Sequence, residues 1–286
     1  MCRVLSRSLL AVLAMLAMLA GARAGDRFVT TSDGVRLHLI EAGSPASPTI
    51  LFVPGWTMPG WIWGLQLRAF APAFHVFAMD PRGQGESDVP AFGYDYRRRG
   101  QDIAEVIAAI RPHPVLLVAW SLGVLDSLAY LHEDGDHALA GLVLVDNSVG
   151  EEPAPVPRPQ PRRRGPTLPR AVVMHRFVAS MFRSDPGERY IDALTTATLR
   201  TPPAAAAALL RYRVPRTYWR DALYSTRKPV LYMVRPGFAA QAANVAAHDP
   251  TAETMLFPTA GHALFIDDAL RFDAAVASFI RRRVAG

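Results

Sequence analysis

Val115-Leu116-Leu117-Val118-Ala119-Trp120-Ser121-Leu122-Gly123 joins a short apolar run to a serine and a glycine. The run is rich in branched side chains and reads as a buried strand. Leu122 to Leu131 carries apolar residues at helical spacing. A serine between the two is held on a sharp turn, with its hydroxyl exposed at the carboxyl end of the strand. The turn brings strand and helix close together, so its flanks must be small. Ala119 and Gly123 meet that demand.

The same alternation extends in both directions. Phe28 to Gly43 reads as a β-hairpin around Asp33-Gly34. Thr49 to Val53 is a short apolar strand ending at Pro54-Gly55. Trp61 to Phe70 is helix-like and Phe74 to Met79 strand-like. Ile103, Val106, Ile107 and Ile110 share one helical face, and Leu142 to Val145 is another strand. Strands alternating with amphipathic helices imply an α/β fold, a mostly parallel central sheet with helices on both faces. Glu151 to Arg170 breaks the pattern with seven prolines and five arginines, an extended linker. Helical segments follow at Ala171–Phe182, Glu188–Leu199 and Ala204–Arg211. Strands resume at Val230–Val234 and Glu253–Phe257, and a last helix carries Phe272, Val276, Phe279 and Ile280 on one face. The expected organisation is a leader over 1–24, core over 25–150, a Pro/Arg-rich linker and helical cap over 151–226, and core again over 227–286.

The chain has 286 residues, a net charge of +6 and one cysteine. Its charge is too dispersed for a polytopic membrane protein, and its apolar content too high for a disordered one. No Cys/His cluster has zinc spacing, so no metal is expected. Arg3 and Arg7 precede the apolar run Leu9 to Ala20, and Ala22-Arg23-Ala24 follows it. That is the layout of a secretory signal peptide. Cleavage after Ala24 would leave 262 residues, a net charge of +3 and no cysteine. The expected location is periplasmic or secreted, with no stable membrane insertion after cleavage. A span needs about 20 apolar residues, longer than this run. A retained N-terminal anchor is the alternative. Arg162-Arg163-Arg164 has no interleaved aromatic residues and reads as a solvated loop, so no nucleic-acid partner is expected.

Three further motifs surround the serine turn. Val53-Pro54-Gly55-Trp56 follows the first parallel strand. Asp80-Pro81-Arg82-Gly83-Gln84-Gly85-Glu86-Ser87 follows the next. Gly261-His262-Ala263-Leu264-Phe265 follows the last. Together, in this order, they resemble the α/β-hydrolase superfamily, over nearly the whole chain after residue 24. Ala119-Trp120-Ser121-Leu122-Gly123 then corresponds to the nucleophile elbow, usually G-x-S-x-G, with alanine for the first glycine.

The resemblance implies a role for each motif. Ser121 matches the nucleophile and His262 the base that takes its proton. The oxyanion hole would use the backbone N–H groups of Trp56 and Leu122. Most relatives place the acid after the strand that follows the cap. Here that stretch is Val234-Arg235-Pro236-Gly237-Phe238-Ala239-Ala240-Gln241, without a carboxylate. A minority place it after the preceding strand, where this chain has Asp146. Asp146 is the expected acid, and Asp126 the weaker alternative. Asp80 and Arg82 are expected to fix the glycine-rich loop. That loop lacks the spacing of a dinucleotide or phosphate fingerprint. Trp56, Trp61, Trp63 and Trp120 are expected in the core and the pocket wall.

The implied activity is that of a serine hydrolase acting on a small-molecule ester, without metal or organic cofactor. A serine nucleophile argues against the dehalogenase and epoxide-hydrolase branches, which use a carboxylate. A lactonase, amidase, peptidase or perhydrolase would share the same residues. So would a non-catalytic ligand-binding relative. The sequence leaves the oligomeric state open.

Overall fold

The computed structural model describes residues 25–110, 112–155 and 168–284. The expected leader over 1–24, the arginine run at 162–164 and most of the linker lie outside the described residues. Eight strands form one sheet: β1 (Gly25–Thr30), β2 (Arg36–Ala42), β3 (Thr49–Val53), β4 (His75–Met79), β5 (Val115–Trp120), β6 (Leu139–Val145), β7 (Val230–Val234) and β8 (Glu253–Leu256). Their order is β1-β2-β4-β3-β5-β6-β7-β8. β2 runs antiparallel to β1 and β4, and every other pair is parallel.

Continuous apolar runs become strands buried on both faces. Every residue of β3, β4, β5 and β7 is buried. Alternate residues divide between two cores, as the strand period of two demands. Leu51, Phe77 and Leu117 face helices α2 (Tyr96–Ile110) and α3 (Leu122–Asp134). Phe52, Val76 and Leu116 face the other side, with Trp63 and the last long helix (Ala269–Phe279). There Trp63 stacks on Phe265 at 3.9 Å. Full burial of side chains of this size contributes about 1.5–3 kcal/mol each. Trp63 is therefore core and not pocket wall.

Helix α1 (Gly64–Phe70) follows β3. Between β6 and β7 come α4 (Arg170–Ala179), α5 (Glu188–Arg200), α6 (Pro203–Leu209) and α7 (Thr217–Ser225). The first three and their junctions bond to loops at the carboxyl ends of strands. Trp56 Nε1 donates to Ala206 O at 2.8 Å, and Thr201 Oγ1 to Gly83 O at 2.8 Å. Arg200 donates to Ser87 O at 2.8 Å, and Ala263 N to Met181 O at 3.1 Å. These helices thus cover the sheet edge. α7 differs: Trp219, Ala222 and Leu223 are buried in the core shared with α2 and α3. The helices over the edge end near Leu209, and the segment up to 226 rejoins the core.

The chain runs from β3 outward to β4, then crosses back to β5 on the other side of β3. Such a switch point leaves a crevice at the carboxyl ends of the strands. The loops carrying Trp56 and Ser121 meet there.

Candidate active site

Ser121 joins β5 to α3 with φ 55° and ψ −121°, a conformation that non-glycine residues rarely adopt. Such strain costs on the order of 1–3 kcal/mol and persists only where the surroundings hold it. Its N–H donates to Val145 O at 2.9 Å, and Asn147 Nδ2 donates to its carbonyl at 2.7 Å. Gly123 explains the close turn. A methyl group there would stand 2.7 Å from Pro54 O and 2.8 Å from Val53 O.

His262 lies on the loop between β8 and the short helix Leu264–Asp267. Its Nε2 is 2.8 Å from Ser121 Oγ, and its Nδ1 is 2.6 Å from Asp146 Oδ2. With the Nδ1 proton donated to the carboxylate, Nε2 is left to accept from the serine hydroxyl. Trp120 Nε1 donates to the His262 carbonyl at 2.8 Å and holds the loop over the serine.

Asp146 ends β6 in another left-handed conformation, φ 50°, and its side chain is fully buried. Burial pushes its carboxyl toward the neutral form. The bond from His262, the charge of Arg235 and the bond from its backbone N–H outweigh burial and hold the carboxyl below its ordinary value.

The backbone N–H of Trp56 stands on the loop after β3, and that of Leu122 opens α3 directly after Ser121. Neither takes a hydrogen-bond partner among the described residues. Gly55 lets the first loop approach: a methyl group there would stand 2.9 Å from Ser121 Cβ. Two free donors beside an activated hydroxyl can stabilise an anion that forms on an attacked carbonyl.

Residues 50–275 match the family model described as "Alpha/beta hydrolase family". The chain belongs to the alpha/beta hydrolase family. Epoxide hydrolase A of Mycobacterium tuberculosis is 33% identical over 122 residues, covering 41% of this chain and 38% of that one. A non-heme chloroperoxidase of Kitasatospora aureofaciens is 31% identical over 117 residues, covering 41% and 42%. This chain thus spans well under half the length of these relatives. Among solved structures, an esterase from a Rhodococcus species is 25% identical with TM-score 0.74, covering 90% of this chain and 99% of that one. A candidate aryl esterase from Burkholderia cenocepacia is 25% identical with TM-score 0.79, covering 90% and 98%.

Asp126 is not brought to His262 in this alpha/beta hydrolase. It is buried on α3, where its Oδ1 meets Arg99 Nη2 at 3.0 Å without a well-directed hydrogen bond. Burial raises its carboxyl to about 6 against the attraction of Arg99, and Asp102 adds to the rise. Asp80 and Arg82 hold the loop after β4 through separate networks. Asp80 accepts from the Gly60 and Glu86 N–H groups, and Arg82 forks onto Asp102 at 2.6 Å.

Gln84 follows Arg82 by two residues on the same loop. Its Oε1 accepts the Thr57 N–H at 2.6 Å, and its Nε2 donates to Met58 O at 3.2 Å. Gln84 thereby fixes the loop that presents the Trp56 N–H. No local signal marks it, because its partners lie on a loop near residue 57. Trp56 packs edge-on against Phe177 at 5.1 Å, and Trp61 against Tyr190 at 5.6 Å. Leu122 packs with Tyr94, Ala205 and Leu209 in a small buried apolar cluster, against which Trp56 also packs. His175, Glu188 and Asp192, on the outer surface of α4 and α5, lie close enough together to share a cation. They are separate from the Ser121 site.

Proposed function

We propose that this alpha/beta hydrolase is an exported serine hydrolase that cleaves a carboxylic ester of modest size through an acyl-enzyme. One observation carries the reading: an unbroken hydrogen-bond chain from Ser121 Oγ through His262 to Asp146. Ser121 Oγ attacks the carbonyl carbon while its proton passes to His262 Nε2. Asp146 stabilises the imidazolium and keeps the ring oriented. The oxyanion rests on the N–H groups of Trp56 and Leu122, each donor contributing about 2.7–4 kcal/mol. His262 then protonates the departing alcohol. In the second half it takes a proton from water, which attacks the acyl-Ser121 ester, and Ser121 recovers its proton as the acid leaves.

Esterases among the solved structures support the ester bond. Relatives named epoxide hydrolases raise a second reading. The nucleophile position here holds Ser121 rather than a carboxylate, which favours acyl transfer. Export rests on Arg3, Arg7, the apolar run to Ala20 and Ala22-Arg23-Ala24. No helix of the described residues is long and apolar enough to cross a membrane.

The test is a panel of p-nitrophenyl esters of rising acyl length, beside a lactone, an anilide and a styrene-oxide-type epoxide. Ester turnover by the wild type and its loss in Ser121→Ala are expected. Turnover of the epoxide alone would overturn the proposal.

A further inference from the structure

Arg235, the first residue after β7, touches both ends of the His262–Asp146 pair. Its Nε donates to Asp146 Oδ2 at 2.6 Å, and its backbone N–H donates to Asp146 Oδ1 at 2.9 Å. Its Nη2 stands 3.5 Å from His262 Nδ1. Asp146 Oδ2 is thus shared between the imidazole and a permanent cation. The carboxylate is fully buried, while the Arg235 side chain is 32% exposed.

A buried carboxylate that faced only a neutral imidazole would be hard to keep ionised. Two donors from one residue, one on each oxygen, also stop the carboxylate from rotating. We propose that Arg235 is a positioning residue for the Ser121–His262–Asp146 chain, holding Asp146 ionised and aimed at His262 Nδ1. The inference rests on the serine-hydrolase reading.

Other polar groups on neighbouring elements are already engaged. Ser121 closes the far side at the end of β5. Tyr232 on β7 donates its phenol proton to Asn147 O at 2.7 Å. Asp267 spends its carboxylate on the N–H groups of Gly261, Arg183 and Ser184. Among the described residues, Arg235 is the cation in contact with Asp146.

The test is the rate of fluorophosphonate labelling of Ser121 from about pH 5 to pH 9, the range in which an imidazole titrates. The full chain is compared with Arg235→Gln and Arg235→Lys, and thermal melts establish that each variant is folded. In Arg235→Gln the labelling rate should fall about tenfold across this range, because the carboxylate is no longer clamped against the ring. Arg235→Lys, which keeps a cation and the backbone donor, should recover most of that rate. A folded Arg235→Gln that labels at the wild-type rate across this range overturns the proposal. Failure of the wild type to label at any pH would instead remove the serine-hydrolase reading beneath it.

Discussion

Asp146 Oδ2 lies 2.6 Å from His262 Nδ1, although 116 residues separate the two in the chain. The sheet makes this possible. Asp146 closes β6, His262 follows β8, and β7 between them supplies Arg235 and the Met233 carbonyl that accepts the Asp146 N–H at 2.9 Å. Three neighbouring strand ends therefore fix one hydrogen bond on which the proposed chemistry depends.

Replacing the acid should separate the two candidate aspartates. Asp146→Asn keeps the shape but lets the imidazole adopt the wrong tautomer. A loss in kcat on the order of 10⁴ is expected, with KM little changed. Asp126→Asn should leave kcat within about threefold of the wild type, since its charge meets Arg99 and not His262. Steady-state kinetics on any accepted ester checks both.

Asp126 should instead appear in the pH dependence of stability. In the unfolded chain an aspartate ionises near its ordinary value of about 3.9. In the folded protein burial delays ionisation to about 6. Between these limits the folded state holds the extra proton, so this group's contribution to stability falls as pH rises through the window. Above it the contribution is level. The whole change amounts to at most about 3 kcal/mol. Denaturant melts of the wild type and Asp126→Asn should converge or cross toward the variant as pH rises from about 4 to 6. A constant difference across that window would contradict the assignment.

Gln84→Ala should uncouple the loop after β3 from the loop after β4. It leaves the Thr57 N–H and the Met58 carbonyl without their partner. A stability loss of about 1–3 kcal/mol is expected. Displacing the Trp56 N–H should lower kcat by about 10–100-fold with a smaller effect on KM. Paired melts and kinetics test it, and full activity would free the loop from dependence on Gln84.

Close approach at the serine turn predicts a contrast between two glycines. Gly123→Ala would drive a methyl group against the carbonyls of Val53 and Pro54 at 2.8 and 2.7 Å, and backbone cannot easily yield. Overpacking of this kind should destabilise by about 1–3 kcal/mol and reduce activity. Gly237→Ala, where a methyl meets nothing within 4 Å, should be nearly neutral. Thermal melts of the two variants make the comparison.

What could be read in the sequence followed from locality. Ser121 and His262 stand in short motifs whose turns and strand ends are written in adjacent residues. Asp146 is legible only through the family resemblance, which points to the end of the strand Leu142 to Val145 when 234–241 holds no carboxylate. Gln84 and Arg235 carried no such mark, since each acts on a loop or strand end remote in sequence. α7 was absorbed into the insertion because its burial of Trp219, Ala222 and Leu223 depends on α3 being there to receive it. The helix Ala239–His248 also went unseen: its alanine-rich sequence buries only Gln241, Ala242 and Val245, too weak a stripe to register as a helical face.

The central claim is that Ser121 becomes acylated. Rapid mixing with a p-nitrophenyl ester, acid quenching and peptide mass spectrometry address it directly. The account predicts an added acyl mass on the peptide containing Ser121 and its absence in Ser121→Ala. Ester hydrolysis that proceeds equally in Ser121→Ala, with no acyl mass on the Ser121 peptide of the wild type, would contradict it.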